Sequence, residues 1–327
     1  MKRRIALLVL LGILALSAAG AQAGPMAGVM DWMRDNMGME MGSVTIDGKA
    51  YSKIVLSPEV RMGRLKLGLY LPVIYKDDLF NPGTWYAPGG NNEWNFGADY
   101  WGSGDYIKAA LDVAADLVLK VKYLEFGQPL EDKFFVKVGN LHDLTIGHGL
   151  IMRNYRNDSD FPSIRRTGVN TGFDFGAFGF EALANDLPIP EIVGARLYFR
   201  PIKGSKLAFG VSGVADLAAA SDLNDPSFDA VQDNFMFLGA GADLDLPIIK
   251  KNEILSLRAF ADAAVTLPYV KNAFTYNSVD IAAGPQTDIV WDGGPKNWGA
   301  AAGFLGNVLF IDWRLEYRYY TGVFRPS

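Results

Sequence analysis

The chain has 327 residues, 31 basic against 36 acidic side chains, and no cysteine. The missing thiols exclude a lipid-anchored amino terminus, disulfides, thiolate metal sites and a cysteine nucleophile together. The acidic balance argues against nucleic acid as a partner. Average hydropathy decides nothing, because a membrane barrel with water on one face of every strand scores like a soluble protein.

The amino terminus has the layout of a secretory signal peptide: Lys2, Arg3 and Arg4, an apolar run from Ile5 to Leu16, and Ala21-Gln22-Ala23 before Gly24. Residues 1–23 are therefore expected to be removed, with an amino-terminal anchor helix as the alternative. The run is shorter than the roughly 20 residues a spanning helix needs, and no later segment approaches that length, which excludes a helical membrane protein. No linker or low-complexity tract divides the rest of the chain, so residues 44–327 are expected to form one domain. Residues 24–43 carry Met26, Met30, Met33, Met37, Met39 and Met41 around Trp32, an adaptable surface suited to a short plug helix or a structural filler.

Asp47-Gly48 is a hairpin signal. Ile54, Leu56, Pro58, Val60 and Met62 then alternate with Lys53, Ser57, Glu59 and Arg61, Gly63-Arg64 turns the chain, and Leu65, Leu67, Leu69, Leu71 and Val73 alternate with Lys66, Gly68, Tyr70 and Pro72. Period two predicts a hairpin of two long strands with an aliphatic row on one side. A long connection runs from about Tyr75 to Asp105, rich in aromatics (Trp85, Tyr86, Trp94, Phe96, Tyr100, Trp101) that suit packing or a membrane-interface girdle, with stacking on sugars as the other use. Asp105 to Asp116 has helical spacing in Ile107, Ala110, Leu111 and Ala114.

Alternation resumes in Leu117, Leu119, Val121 and Tyr123 against Lys120 and Lys122, and in Phe134, Val136 and Val138 against Lys137. It continues through residues 178–184, 193–199, 207–215, 236–246, 255–265 and 298–304. The clearest case closes the series: Leu309, Ile311, Trp313, Leu315, Tyr317 and Tyr319 between Asp312, Arg314, Glu316 and Arg318. About twelve strands result, many with the 9 to 11 residues a tilted strand needs to cross a bilayer. Short connections alternate with long ones at Tyr75 to Asp105, Arg153 to Ser163, Ala219 to Asp233 and Pro268 to Asn297, the asymmetry of periplasmic turns and outer loops. The tail, Phe324 to Ser327, passes its aromatic residues before Pro326 ends any strand, so closing strands are expected beyond Ser327.

Catalytic and metal signals are sparse. His142 and His148 are the two histidines; on a strand they stand roughly 20 Å apart, too far for one metal unless Gly147 and Gly149 bend the segment. A hydrolase would need Ser159 or Ser163 to fold back onto one of them. Gly239-Ala-Gly241 lacks the later glycine and helix of a phosphate loop, and Pro226 and Ser227 spoil a calcium reading of the acidic stretch Asp222 to Asp233. No cofactor and no metal set are expected.

The ionic parity is more informative. Arg61, Lys66, Lys120, Lys122, Glu181, Arg196, Arg258, Asp262, Arg314, Glu316 and Arg318 recur on the face opposite the aliphatic rows, beside Glu59, Glu125, Asp243 and Asp245. A cation at the lipid midplane costs about 2 to 4 kcal/mol, so these are expected to line a lumen, either as opposed charged rows around water or as pairs that close it. Arg153, Arg156, Arg165 and Arg166 form the densest basic group, suited to an anionic solute or a lipopolysaccharide head group, or else to internal pairing with Asp158 and Asp160.

Taken together, the leader, the strand pattern over about residues 44 to 320 and the missing cysteine resemble bacterial outer-membrane β-barrel proteins of the porin type. Leu141 to Tyr155, Arg165-Arg166-Thr-Gly and Arg200-Pro201 are similar to a poorly characterised barrel family, which implies no known activity. The resemblance implies an all-β, antiparallel transmembrane barrel of about twelve strands or more. Its implied address is the outer membrane of a diderm bacterium, among lipid and lipopolysaccharide. The expected function is passage of small hydrophilic solutes without enzymatic activity. The alternatives are a lipid hydrolase using His142 or His148, a closed structural or binding barrel, and a secreted soluble β-protein.

Overall fold

The computed structural model describes residues 38–86, 94, 96, 98–101, 104–129, 132–202, 207–219, 234–249, 254–276, 278–287, 296–322 and 324. The leader, most of the methionine-rich segment, the acidic stretch 222–233 and the tail 325–327 lie outside these. The chain groups into two compact units, residues 1–126 and 127–327.

In the first unit, β1 (Glu40–Ile46), β2 (Lys49–Leu56) and β5 (Leu71–Tyr75) form a three-stranded antiparallel sheet, and β1 and β2 turn at Asp47-Gly48 as expected. A separate ladder joins β3 (Glu59–Met62), β4 (Leu65–Leu69) and β6 (Val121–Phe126). The expected long hairpin 54–73 is thus cut in two. Pro58 ends pairing between Leu56 and Glu59, and the Tyr70 N–H leaves the hairpin to donate to the Lys120 carbonyl at 2.8 Å. Proline cannot donate to a ladder, which explains the break at that point.

The aliphatic row is also divided. Ile54, Leu56, Leu71 and Val73 are not exposed but form a core with Trp85, Trp94 and Phe96. Trp94 Nε1 donates to the Pro72 carbonyl at 2.9 Å, so Trp85, Trp94 and Phe96 of the first long connection are packing residues, whereas Tyr100 and Trp101 stay exposed.

Helix α1 (Ala98–Trp101) precedes helix α2 (Tyr106–Lys120), whose N-cap Asp105 accepts the Lys108 N–H at 3.1 Å. The helix runs one turn further than expected, so Leu117, Leu119 and Lys120 are helical rather than on a strand. Ala109, Val113, Asp116 and Lys120 recur at helical spacing on the side turned toward the unit, which holds the extra turn in place.

In the second unit, nine strands form an antiparallel meander: β7 (Phe134–Gly139), β8 (Gly168–Asp174), β9 (Phe178–Ala184), β10 (Ile192–Phe199), β11 (Ala208–Asp216), β12 (Phe235–Ile249), β13 (Leu255–Val270), β17 (Trp298–Val308) and β18 (Ile311–Tyr320). The short β14 (Phe274–Tyr276) and β15 (Val279–Ile281) pair with each other, and β16 (Gly284–Pro285) pairs with β13. β7 and β18 are not hydrogen-bonded to one another, so the meander does not close on itself within this unit. Among the nine meander strands β8 escapes detection by alternation, because its sequence from Gly168 to Asp174 holds little apolar side chain to reveal a period, and the short β14, β15 and β16 lie in the stretch read as a long connection.

The two faces of this meander differ sharply. On one, Leu197 is 60% exposed, Val211 59%, Leu315 70% and Tyr317 74%. The other carries the charges and is covered by residues 140–157, a segment between β7 and β8 that folds back as a hairpin. Leu144 and Tyr155 exchange backbone hydrogen bonds at 3.0 and 2.9 Å, and the tip turns through Gly147 and Gly149, both at positive φ. Asn157 locks its base: its side chain accepts the Leu141 N–H at 2.7 Å and donates to the Asn185 carbonyl at 2.7 Å.

This hairpin fits because the strands beneath it lack side chains. A Cβ at Gly168 would stand 2.4 Å from Leu141 Cδ1, one at Gly194 2.4 Å from Ile146 Cδ1, and one at Gly241 2.8 Å from Ile151 Cδ1. Gly168→Val should therefore lift the hairpin base and destabilise the fold by about 1 to 3 kcal/mol, as overpacking does. A lowered urea midpoint, with Gly42→Val as a control in open space at ordinary extended backbone, measures it; equal midpoints would refute the packing account.

Candidate functional site

Antiparallel pairing fixes which residues share the ionic face. Asp243 stands directly opposite Asp262, Arg196 opposite Glu181, Ala301 opposite Arg318, and Gly303 opposite Glu316. Two carboxylates opposed across a ladder repel each other. The cations that relieve them define the site.

Arg196, 7% exposed, forms a two-pronged pair with Asp243, its Nε donating to Oδ2 at 2.9 Å. His148, at the hairpin tip and 6% exposed, sets Nδ1 at 2.8 Å from Asp262 Oδ1 and Nε2 at 3.5 Å from Asp245 Oδ1. Arg258 Nε approaches the same Asp245 oxygen at 3.3 Å. The His148 ring stacks on Phe260 with centroids 4.7 Å apart, and the Arg314 guanidinium lies 4.6 Å from that same ring. Arg314 also donates to the His148 carbonyl at 2.6 Å.

Glu316 gathers three guanidiniums: Arg314, Arg318 at 2.9 Å, and Arg153 at 3.0 Å from the hairpin. Hairpin and wall are therefore tied twice by charge, through His148 and through Arg153.

The expected lumen residues in the second unit, Glu181, Arg196, Arg258, Asp262, Arg314, Glu316 and Arg318, do share one face. Those in the first unit fare differently. Arg61 pairs with Glu59 and Lys66 with Glu125 at 3.5 Å, on the polar side of β3, β4 and β6. Lys120 instead ends helix α2, buried, with its ammonium 4.6 Å from the centroid of Trp94. Lys122 takes the parity of Leu124 and Phe126, because Glu125 and Tyr123 face Lys66 and Gly68 across the ladder. The register bulge beside Leu69 at the end of the helix reverses the alternation read for residues 117–123.

The basic group of four does not converge. Arg153 holds Glu316, Arg166 holds Asp160 at 3.1 Å and approaches Glu191 at 3.8 Å, Arg156 approaches Asp158 at 3.7 Å, and Arg165 lies over the Phe161 ring at 5.4 Å. Internal pairing accounts for most of it. Among the described residues, no group of His, Asp and Glu is arranged to hold a metal ion. Both ring nitrogens of His148 face carboxylates.

Alternation alone does not reveal the hairpin. Its signal is present in two places: Leu141, Leu144, Ile146, Leu150, Ile151 and Met152 fit neither period two nor a helix, and glycines occupy ionic-parity positions of β10 to β12.

Burial disfavours a charged ring at His148, but Asp245 and Asp262 outweigh it, so the proton is held above the ordinary histidine range. A pKa raised by folding gives stability that is full below the unfolded histidine value and is lost as pH rises through the folded one. The urea midpoint should fall across that window, and His148→Gln should flatten the fall while costing about 3 kcal/mol at low pH, the scale for leaving buried charges unpaired. Parallel pH profiles for the two proteins would refute the assignment.

No family model matches the chain, and no curated protein matches it. Among solved structures, a triple mutant of Rh. blastica porin is similar over 83% of this chain and 90% of its own, at 8% identity and a TM-score of 0.22. Likeness at that level leaves the fold to be argued from this chain's own residues.

Proposed function

We propose that this chain is an exported outer-membrane β-barrel that passes small hydrophilic solutes, with the 140–157 hairpin narrowing the passage. The observation that carries the reading is the two-faced meander of the second unit. Its apolar face holds Leu197, Phe199, Val211, Leu246, Leu315 and Tyr317 exposed, while its charges lie on the other side. In water such a face calls for a covering layer; in a bilayer, hydrocarbon is its solvent.

Several ionic side chains stay partly accessible beside the hairpin, with side-chain exposures of 37% for Arg153, 28% for Arg258 and 19% for Arg314. Such groups suit a wetted constriction. A closed structural barrel is the second reading, favoured by how completely Arg196, Asp243, His148 and Asp262 satisfy one another. A hydrolase built on His148 loses support because neither ring nitrogen of His148 is left for a serine hydroxyl.

Planar-bilayer recording tests the passage. The native protein should give small stepwise currents, and replacing residues 145–153 by a short Gly/Ser link should enlarge each step. Silence from both proteins would favour the closed barrel. Val211→Arg tests the membrane itself: a cation near the midplane costs about 2 to 4 kcal/mol, whereas the same change on a water-facing surface stays within about 0.5 kcal/mol. Reversible unfolding from lipid vesicles distinguishes the two.

A further inference from the structure

Helix α2 is inside out. Its buried side chains are Ala109, Asp116 and Lys120, whereas Tyr106 is 68% exposed, Ile107 76%, Leu111 65% and Val118 66%. At about 100° per residue, Tyr106, Ile107, Ala110, Leu111, Ala114, Leu117 and Val118 fall on one arc that carries no charge. Lys108, Asp112, Asp116 and Lys120 all fall outside it. The inward charges are engaged: Asp116 accepts the Phe96 N–H at 2.8 Å, and Lys120 lies over Trp94. A helix washed by water turns its apolar stripe inward. This one does the reverse.

We infer that the exposed face of α2 is a lipid-contacting surface, resting on the reading that the strands of this protein face a bilayer. Two features point to lipid. First, the helix passes without a break into β6, where Leu124 is 40% and Phe126 38% exposed, and Met62 on β3 is 60% exposed, so the helix leads into a mainly apolar strand surface of the same unit on which Lys122 is the cation, beside the junction with the helix. Second, its amino-terminal end is aromatic: Trp101 and Tyr106 stand with ring centroids 6.3 Å apart, Trp101 Nε1 donates to the Phe96 carbonyl, and both rings are largely exposed. Trp and Tyr gather where hydrocarbon meets head groups, which sets this end at the interface.

The helix does not cross. Its 15 residues span about 22 Å against a hydrocarbon core of about 30 Å, and no helix among the described residues is long and apolar enough to do so. It covers one stretch of the lipid boundary as a monotopic element, held by a polar inner side in place of a polar outer one.

Because the chain has no cysteine, single substitutions can report on it. Leu111→Cys and Val118→Cys carry a fluorophore on the helix, and Leu197→Cys carries the same label on β10. The full-length protein is placed in phosphatidylcholine vesicles with either brominated lipid or aqueous iodide as quencher. Brominated lipid should reduce emission from both helix labels as strongly as from the strand label, with iodide having little effect on any of the three. Helix labels quenched by iodide while the strand label is quenched by lipid would overturn this inference and leave the barrel standing. Helix labels shielded from both quenchers would assign the face to a protein partner or second copy, and overturn it too. A strand label quenched only by iodide would remove the barrel reading itself.

Discussion

The opposition of Asp243 and Asp262 across the β12–β13 ladder is the constraint on which the second unit turns. The register places both carboxylates on the same buried face, and neither is compatible with burial alone. The wall supplies one remedy, Arg196 on the neighbouring stretch of sheet, and the hairpin supplies the other, His148. Sheet register and hairpin position are therefore one problem. The glycines of β10 and β12 belong to the same solution, because Ile146 and Ile151 can bring His148 down to Asp262 only where the wall has no Cβ. Ion pairing of this kind adds little net stability compared with an apolar core. What it does is make one placement of the hairpin far better than its neighbours.

Legibility in the sequence followed the number of solvents a strand meets. In β9, β10, β12, β13 and β18, each strand has one ionic and one apolar face, and alternation alone assigned parity correctly, including Arg196, Asp262, Arg314, Glu316 and Arg318. Where both faces of a strand are packed, the rule lost its basis. Val55 between Ile54 and Leu56 is buried as they are, so β2 has no outward aliphatic row to announce. Residues 117–123 failed for a related reason: a helix ending directly in a strand yields a run that mimics period two across the junction. The hairpin was opaque because its partners are distant in sequence. Nothing near His148 reveals that Asp245 and Asp262 will meet it; only the wall register does.

Charge is not spread evenly over the ionic face, and this bears on the proposed passage. Around β12 and β13, Asp243, Asp245 and Asp262 meet Arg196, Arg258 and His148, whose charged form the carboxylates favour, so the set balances when that ring carries its proton. At β18, Glu316 contacts Arg153, Arg314 and Arg318, and with Asp312 further along the same side two carboxylates stand against three guanidiniums, so positive charge is left over. In the first set Arg196, Asp243, His148 and Asp262 are buried and Arg258 is partly open; in the second, Arg153 is the most open member. A field that reaches a solute must come from groups that are both accessible and uncompensated, since paired charges in close contact cancel over a few ångströms and the remainder is screened by salt. The β18 side is thus where the proposed passage would present its sign, and the β12–β13 side is where the hairpin is anchored. Arg153 belongs to both, since it ties the hairpin to Glu316 and is also the most exposed of the three guanidiniums around that carboxylate, so hairpin position and the sign presented to a solute are coupled at β18.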